Sequence, residues 1–186
     1  MFRAEIPSYP DPWQFASSAY ETARYDAIMA ALGEKRHRRA FEPGCSIGML
    51  TRRLAEMCEQ VEAMDISPTA VAQAQQRCRH LPAAAIRCGT VANSLPAGTF
   101  DLLILSEIGY YFDEDHLREL ASTVLERLEP GGTLLASHWL GNSPDHILSG
   151  DAVHAVLANV IAAVPGIALA HSERRPGFRL DLWVRA

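Results

Sequence analysis

Phe41-Glu42-Pro43-Gly44-Cys45-Ser46-Ile47-Gly48, followed at a distance by Val61-Glu62-Ala63-Met64-Asp65, reads as a strand, a glycine-punctuated turn, a helix and a second strand ending in an acid. A parallel sheet needs this arrangement to hold a nucleoside over the carboxyl ends of its strands. The glycines let the backbone turn sharply and approach a ligand where a Cβ would clash. Asp65 falls about 20 residues past the first glycine, the separation at which an acid can accept the hydroxyls of a ribose. The spacing of Gly44 and Gly48 does not match Gly-x-Gly-x-x-Gly, the dinucleotide fingerprint.

Working outward, the alternation of strands and helices predicts an α/β fold. Ser17 or Ser18 caps a helix running to Leu32 and stopped by Gly33. Strand one is Arg39–Glu42. The helix after Gly48 carries Leu50, Leu54, Met57 and Cys58 on one face. Ser67-Pro68 starts a helix, with a hydroxyl cap and proline at the first position. Strand three is Ala84–Cys88. Phe100–Leu105 is a near-continuous apolar run, as a central strand covered on both faces requires. Leu117, Leu120, Ala121, Val124, Leu125 and Leu128 mark an amphipathic helix, which Pro130-Gly131-Gly132 should stop. Strand five is Thr133–Trp139, and a helix through Val153, Val156, Leu157, Val160, Ile161 and Val164 follows.

The C-terminus changes character. Ile167–Glu173 and Phe178–Val184 both read as strands, and only Arg174-Arg175-Pro176-Gly177 separates them. A parallel crossover needs roughly a dozen residues. These two strands must therefore form an antiparallel hairpin. The expected fold is a Rossmann-like, doubly wound sheet of seven strands, mostly parallel, with an antiparallel C-terminal hairpin.

Composition bounds the rest. At 186 residues, one domain spanning 1–186 is expected, with 1–35 as an N-terminal cap or lid. Prolines 7, 10 and 12 make the first dozen residues irregular. The net charge of −5 argues against a nucleic-acid partner. Lys35-Arg36-His37-Arg38-Arg39 reads as a solvated loop leading into strand one. No apolar run approaches a membrane span. Cys45, Cys58, Cys78 and Cys88 show no metal-ligand or redox spacing, and with no leader visible the expected setting is the cytoplasm.

A parallel sheet closed by an antiparallel hairpin resembles the class I S-adenosylmethionine (SAM) methyltransferases. Glu42-Pro43-Gly44-Cys45-Ser46-Ile47-Gly48 resembles their acid-x-Gly-x-Gly-x-Gly motif, with Ser46 in place of the middle glycine. The likeness narrows to the nodulation protein S (NodS) type. It is carried by Asp11-Pro12-Trp13, Tyr25-Asp26, the Phe41–Gly48 stretch, Leu105-Ser106-Glu107 with Tyr110-Tyr111, and Ser137-His138-Trp139. Members of that family methylate the free amine of a chitooligosaccharide. The resemblance implies SAM as cofactor and a small-molecule or saccharide acceptor.

Placed on this chain, Glu42 meets the ammonium of the methionine end of SAM. The N–H groups opening the helix after Gly48 suit its carboxylate. Gly44, Ser46 and Gly48 allow close approach. Asp65 takes the ribose hydroxyls, Ile66 presses on the adenine, and Thr90 or Asn93 meets the adenine edge. Acceptor chemistry falls to residues after strands four and five. Glu107 would orient an amine, His138 would assist its deprotonation, and Tyr111 would line the reaction centre. Trp13, Tyr20 and Tyr110 are the expected substrate contacts. No metal cluster is visible. Alternatives that stay open are an oxygen acceptor, a non-catalytic SAM-binding protein, and an NAD-linked oxidoreductase.

Overall fold

The computed structural model describes residues 18–91 and 95–186. Trp13, Asn93 and the proline-rich first dozen residues lie outside them. A seven-stranded sheet runs in the order β3-β2-β1-β4-β5-β7-β6. Its strands are β1 (His37–Pro43), β2 (Cys58–Asp65), β3 (Ala84–Cys88), β4 (Phe100–Ser106), β5 (Leu128–Trp139), β6 (Ile167–Arg175) and β7 (Phe178–Arg185). Strands β1 to β5 pair in parallel; β7 runs antiparallel to both β5 and β6 and is the one reversed strand among the described residues. The C-terminal hairpin is tighter than its sequence suggested, since Arg174 and Arg175 extend β6 and only Pro176-Gly177 turn.

Alternation along the central strands divides the core in two. Leu103 and Leu105 of β4 join Leu134 and Ala136 of β5 against helices α4 (Glu114–Leu125) and α5 (Gly150–Ala162). Leu102, Ile104 and Leu135 face the other way, against α1 (Ala19–Leu32) and α2 (Met49–Met57). Both faces are covered, so the strands read as unbroken apolar runs. α1 is capped by Ser18, whose Oγ accepts the Glu21 N–H at 3.3 Å. Tyr25, Ile28 and Leu32 bury it against α2 and β7, so this half of the expected cap segment belongs to the core. α3 (Pro68–Cys78) starts where Ser67 Oγ accepts the Ala70 N–H, as Ser67-Pro68 predicts.

Three boundaries differ from expectation. Cys58 opens β2 rather than closing α2, because helix and strand meet without a linker. Leu128 begins β5 rather than ending α4, and Pro130-Gly131-Gly132 lie inside the strand. Leu128 pairs with Phe100 and Thr133 with Leu102, so the intervening residues bulge out of the ladder, with Gly131 at φ 74°. Lys35 and Arg36 of the basic cluster are exposed loop leading into strand one, as expected, but the strand begins earlier than Arg39. His37, Arg38 and Arg39 are strand residues; Arg39 pairs with Glu62 and lies over the Phe100 ring.

Candidate active site

The carboxyl ends of β1 and β2 form one half of the site. Gly44 (φ 75°), Ser46 (φ 48°) and Gly48 (φ 78°) all take left-handed backbone conformations. Gly48 has a second constraint: a Cβ there would come within 2.8 Å of Ala74 Cβ and 3.0 Å of Ala74 Cα. The glycine therefore lets α2 and α3 close on each other. The turn is pinned to β2, as Gly44 and Cys45 N–H both donate to Met64 O at 2.8 and 2.9 Å. Ser46 N–H donates to Asp65 Oδ2 at 2.8 Å, and Ser67 N–H to Asp65 Oδ1 at 2.9 Å. With the Ile66 N–H also bonding it, the carboxylate still keeps an acceptor position to spare.

Glu42 is buried, and its Oε2 accepts from Thr51 Oγ1 at 2.6 Å. Burial pushes its carboxyl up to about 8, against the lowering by Thr51 and Arg24. Gly48 offers no side chain to cap α2, so the first-turn N–H groups remain an anion site. Ile66 is 45% exposed beside Asp65. Thr90 Oγ1 is buried with no hydrogen-bond partner among the described residues. A nucleoside with an amino-acid tail fits this set: a spare acceptor on Asp65, an apolar surface at Ile66, an orphaned hydroxyl at Thr90, and a buried acid at Glu42.

The carboxyl ends of β4 and β5 form the other half. Glu107 holds a left-handed φ of 56°, uncommon for a residue with a Cβ. Its Oε2 accepts from Tyr110 Oη at 2.6 Å and its Oε1 from Trp139 N–H at 2.8 Å. Burial raises its carboxyl above the usual range, while Arg24 and these donors pull it down. Backbone strain of this kind persists where the surroundings over-determine it, often at functional sites. Tyr110 is buried and its ring stacks on His146 at 3.7 Å between centroids. Tyr111, half-buried, meets Tyr110 and His146 edge-on at 4.9 and 5.4 Å. Trp139 closes the aromatic group, 5.9 Å from His146.

Arg24 joins the two halves, and sequence reasoning missed it. Only 1% exposed on α1, it donates from Nη1 to Ser106 Oγ at 2.6 Å and from Nη2 to Glu21 Oε2 at 2.5 Å. Nη1 also lies 3.8 Å from Glu107 Oε1. The signal was Glu21 three residues before Arg24 on an apolar helix, but nothing local says that α1 crosses the end of β4. Arg24, Glu42, Gly44, Ser46 and Glu107 line one cavity of about 30 Å³. That is room for a terminal group such as an ammonium, not for a whole nucleoside, which must lie in the groove outside.

Two expectations change. His138 is fully buried, and its Nε2 accepts the Gly109 N–H at 3.0 Å. Its Nδ1 faces His154 Nε2 at 3.3 Å, so no lone pair is left to take an acceptor's proton. Desolvation and the neighbouring His154 hold its pKa well below the ordinary value, which also opposes a role as base near neutral pH. His138 orients; it does not deprotonate. Tyr20 donates its hydroxyl to Gly177 O at 3.1 Å and packs edge-on against Phe178, so its hydroxyl ties α1 to the hairpin.

A strand order with an antiparallel final hairpin, and a glycine turn facing an acid at the end of β2, give this chain the fold of the class I SAM-dependent methyltransferases. The family model of nodulation protein S matches residues 2–175, and the chain belongs to that family. Nodulation protein S of Rhizobium tropici is 25% identical over 168 residues, covering 86% of this chain and 69% of the relative. That of Sinorhizobium fredii is 26% identical, covering 67% of this chain and 59% of the relative. Among solved structures, a proposed methyltransferase from Pseudomonas syringae is 38% identical with a TM-score of 0.76, over 89% of this chain and 99% of that one. The N-methyltransferase NodS of Bradyrhizobium japonicum WM9, in complex with S-adenosylhomocysteine, superposes with a TM-score of 0.81 at 20% identity, over 96% of this chain and 93% of that one. No described helix is long and apolar enough to cross a membrane.

Proposed function

We propose that this methyltransferase acts on a primary amine carried by a saccharide. The carrying observation is Glu107, a carboxylate on strained backbone that faces the same cavity as Glu42, Gly44 and Ser46. An amine arrives largely protonated, and a carboxylate attracts it. SAM, when bound, supplies a methyl group already activated on a sulfonium. The protein's remaining work is alignment, exclusion of water and removal of one proton. Glu42 holds the cofactor's ammonium, the N-terminus of α2 its carboxylate, Asp65 the ribose, and Ile66 with Thr90 the adenine. Glu107, raised by burial, takes the acceptor's proton. Tyr110 donates to Glu107 and keeps its second oxygen oriented. Tyr111 and Trp139 supply flat apolar walls of the kind that stack on sugar rings. All four cysteines are free, three of them buried, which suits a reducing, cytoplasmic setting.

The test is methyl transfer from labelled SAM to a chitooligosaccharide with one free amine, beside its fully N-acetylated counterpart. Label should enter only the free amine. Label in the hydroxyls of the acetylated sugar would make the enzyme an O-methyltransferase, and no label in either would remove the saccharide from the reading.

A further inference from the structure

Three buried titratable side chains form a line that methyl transfer itself does not use. Asp181 on β7, His154 on α5 and His138 on β5 are 1%, 0% and 0% exposed. Asp181 Oδ2 lies 2.6 Å from His154 Nδ1. His154 Nε2 lies 3.3 Å from His138 Nδ1, and His138 Nε2 accepts the Gly109 N–H at 3.0 Å. The far end is anchored twice more: Ser172 Oγ donates to Asp181 Oδ1 at 2.6 Å, and Arg179 Nη2 lies 2.9 Å from Asp181 Oδ2.

The two ends determine every proton between them. Gly109 offers an N–H, so His138 Nε2 must present its lone pair. A neutral imidazole then carries its hydrogen on Nδ1. That hydrogen points at His154 Nε2, which must also be a lone pair. His154 therefore carries its hydrogen on Nδ1 and donates it to the Asp181 carboxylate. Burial pushes that carboxyl up, but His154, Ser172 and Arg179 together hold it at about 2, so it stays ionised. Any other placement leaves a buried group unpaired or sets two donors face to face. At the near end, a Cβ on Gly109 would sit 2.4 Å from Val153 Cγ1 and 3.0 Å from His138 Nε2. α5 and His138 thus clamp the one turn, residues 109–111, that carries Tyr110 and Tyr111.

We propose that His154 and Asp181 are positioning residues for methyl transfer. They lock His138 in the Nδ1–H tautomer, and its free Nε2 then holds the Gly109 N–H. This seats Tyr110 so that its hydroxyl meets Glu107. The inference deepens the proposed function and rests on it in placing the acceptor beside Glu107. The lock itself does not depend on the acceptor.

The test has two arms. Two-bond ¹H–¹⁵N spectra of histidine-labelled full-length protein at pH 7 should show His138 protonated at Nδ1 and bare at Nε2. An Nε2–H tautomer, or a charged ring, overturns the proposal whatever the acceptor proves to be. In the second arm, His154→Leu should lower kcat about tenfold, the loss of roughly one hydrogen bond's worth of alignment, with SAM affinity within about twofold of wild type. His154→Gln, whose one amide can accept from His138 and donate to Asp181, should recover most of the rate and the His138 Nδ1–H signal. Wild-type kcat in His154→Leu, or equal losses in both variants, reduces His154 to packing and overturns the proposal. Should His154→Leu fail to fold, the wild-type tautomer and the rate of His154→Gln decide the question.

Discussion

The carboxyl ends of β1 and β2 are built mainly from backbone and two acids, Glu42 and Asp65, while the ends of β4 and β5 are built from side chains that α1, β4, β5 and the loops after both strands bring together. In the first region the contacts are short-range: Ser46 and Asp65 are 19 residues apart, and Gly44 and Cys45 share one carbonyl of β2. In the second, Glu107 reaches Trp139 across 32 residues and leans toward Arg24 on α1. A cofactor that never varies suits a rigid backbone cradle. An acceptor suits side chains, because each can change without moving the sheet.

If the two regions are separable, substitutions should sort by region. The largest effect belongs to the cradle. Gly48→Val places a β-branched residue at φ 78° and drives its Cβ into Ala74. S-adenosylhomocysteine binding should fall by more than about 10³-fold in calorimetry, a loss beyond one hydrogen bond, with a lowered Tm. Wild-type affinity would mean that α2 and α3 can part without harm to the cradle.

Next comes the acceptor end. Glu107→Gln replaces an acceptor of two hydrogen bonds by an amide that must present an N–H to Tyr110 or Trp139. The kcat should fall by about 10²-fold, in the range of general acid–base contributions. If kcat holds while SAM affinity drops, Glu107 belongs to the cradle and the division fails.

The smallest effect is a pH dependence. Burial raises Glu42 to about 8, so at pH 7 the empty site holds it mostly protonated. An arriving ammonium favours the carboxylate, so its proton must leave on binding. Affinity for SAM should therefore rise by roughly twenty- to thirtyfold from pH 6 to 7.5, with proton release visible as a buffer-dependent binding enthalpy. Glu42→Gln should abolish that dependence. A flat profile in the wild type would mean that Glu42 stays neutral in the complex.

The same contrast explains what the sequence disclosed. The Phe41–Gly48 turn and Asp65 were legible because their geometry is local: left-handed positions need glycine or a small residue, and the acid ends the next strand. The hairpin was legible because the four residues Arg174-Arg175-Pro176-Gly177 cannot make a crossover. His138 was found but misassigned. Its position at the end of β5 follows from the alternation, but its ring is claimed by Gly109, 29 residues earlier, and by His154, 16 later. Arg24 was not found at all, because a buried arginine on an apolar helix acquires meaning only from the strand it crosses. Pro130-Gly131-Gly132 misled because breakers at a helix end and at a bulge look alike until the pairing of Leu128 with Phe100 is known.

The most direct test of the division is one calorimetric series: S-adenosylhomocysteine titrated into the wild type, Asp65→Ala and Glu107→Gln. Asp65→Ala removes charged hydrogen bonds worth about 1.5–3 kcal/mol, so its affinity should be roughly ten- to a hundredfold weaker. Glu107→Gln should stay within about threefold of the wild type, well under the worth of one hydrogen bond. An Asp65→Ala protein that binds as the wild type does would show that Asp65 serves only the Ser46 and Ser67 N–H groups. A Glu107→Gln protein weakened as much as Asp65→Ala would show that cofactor and acceptor ends are one site, contradicting the account.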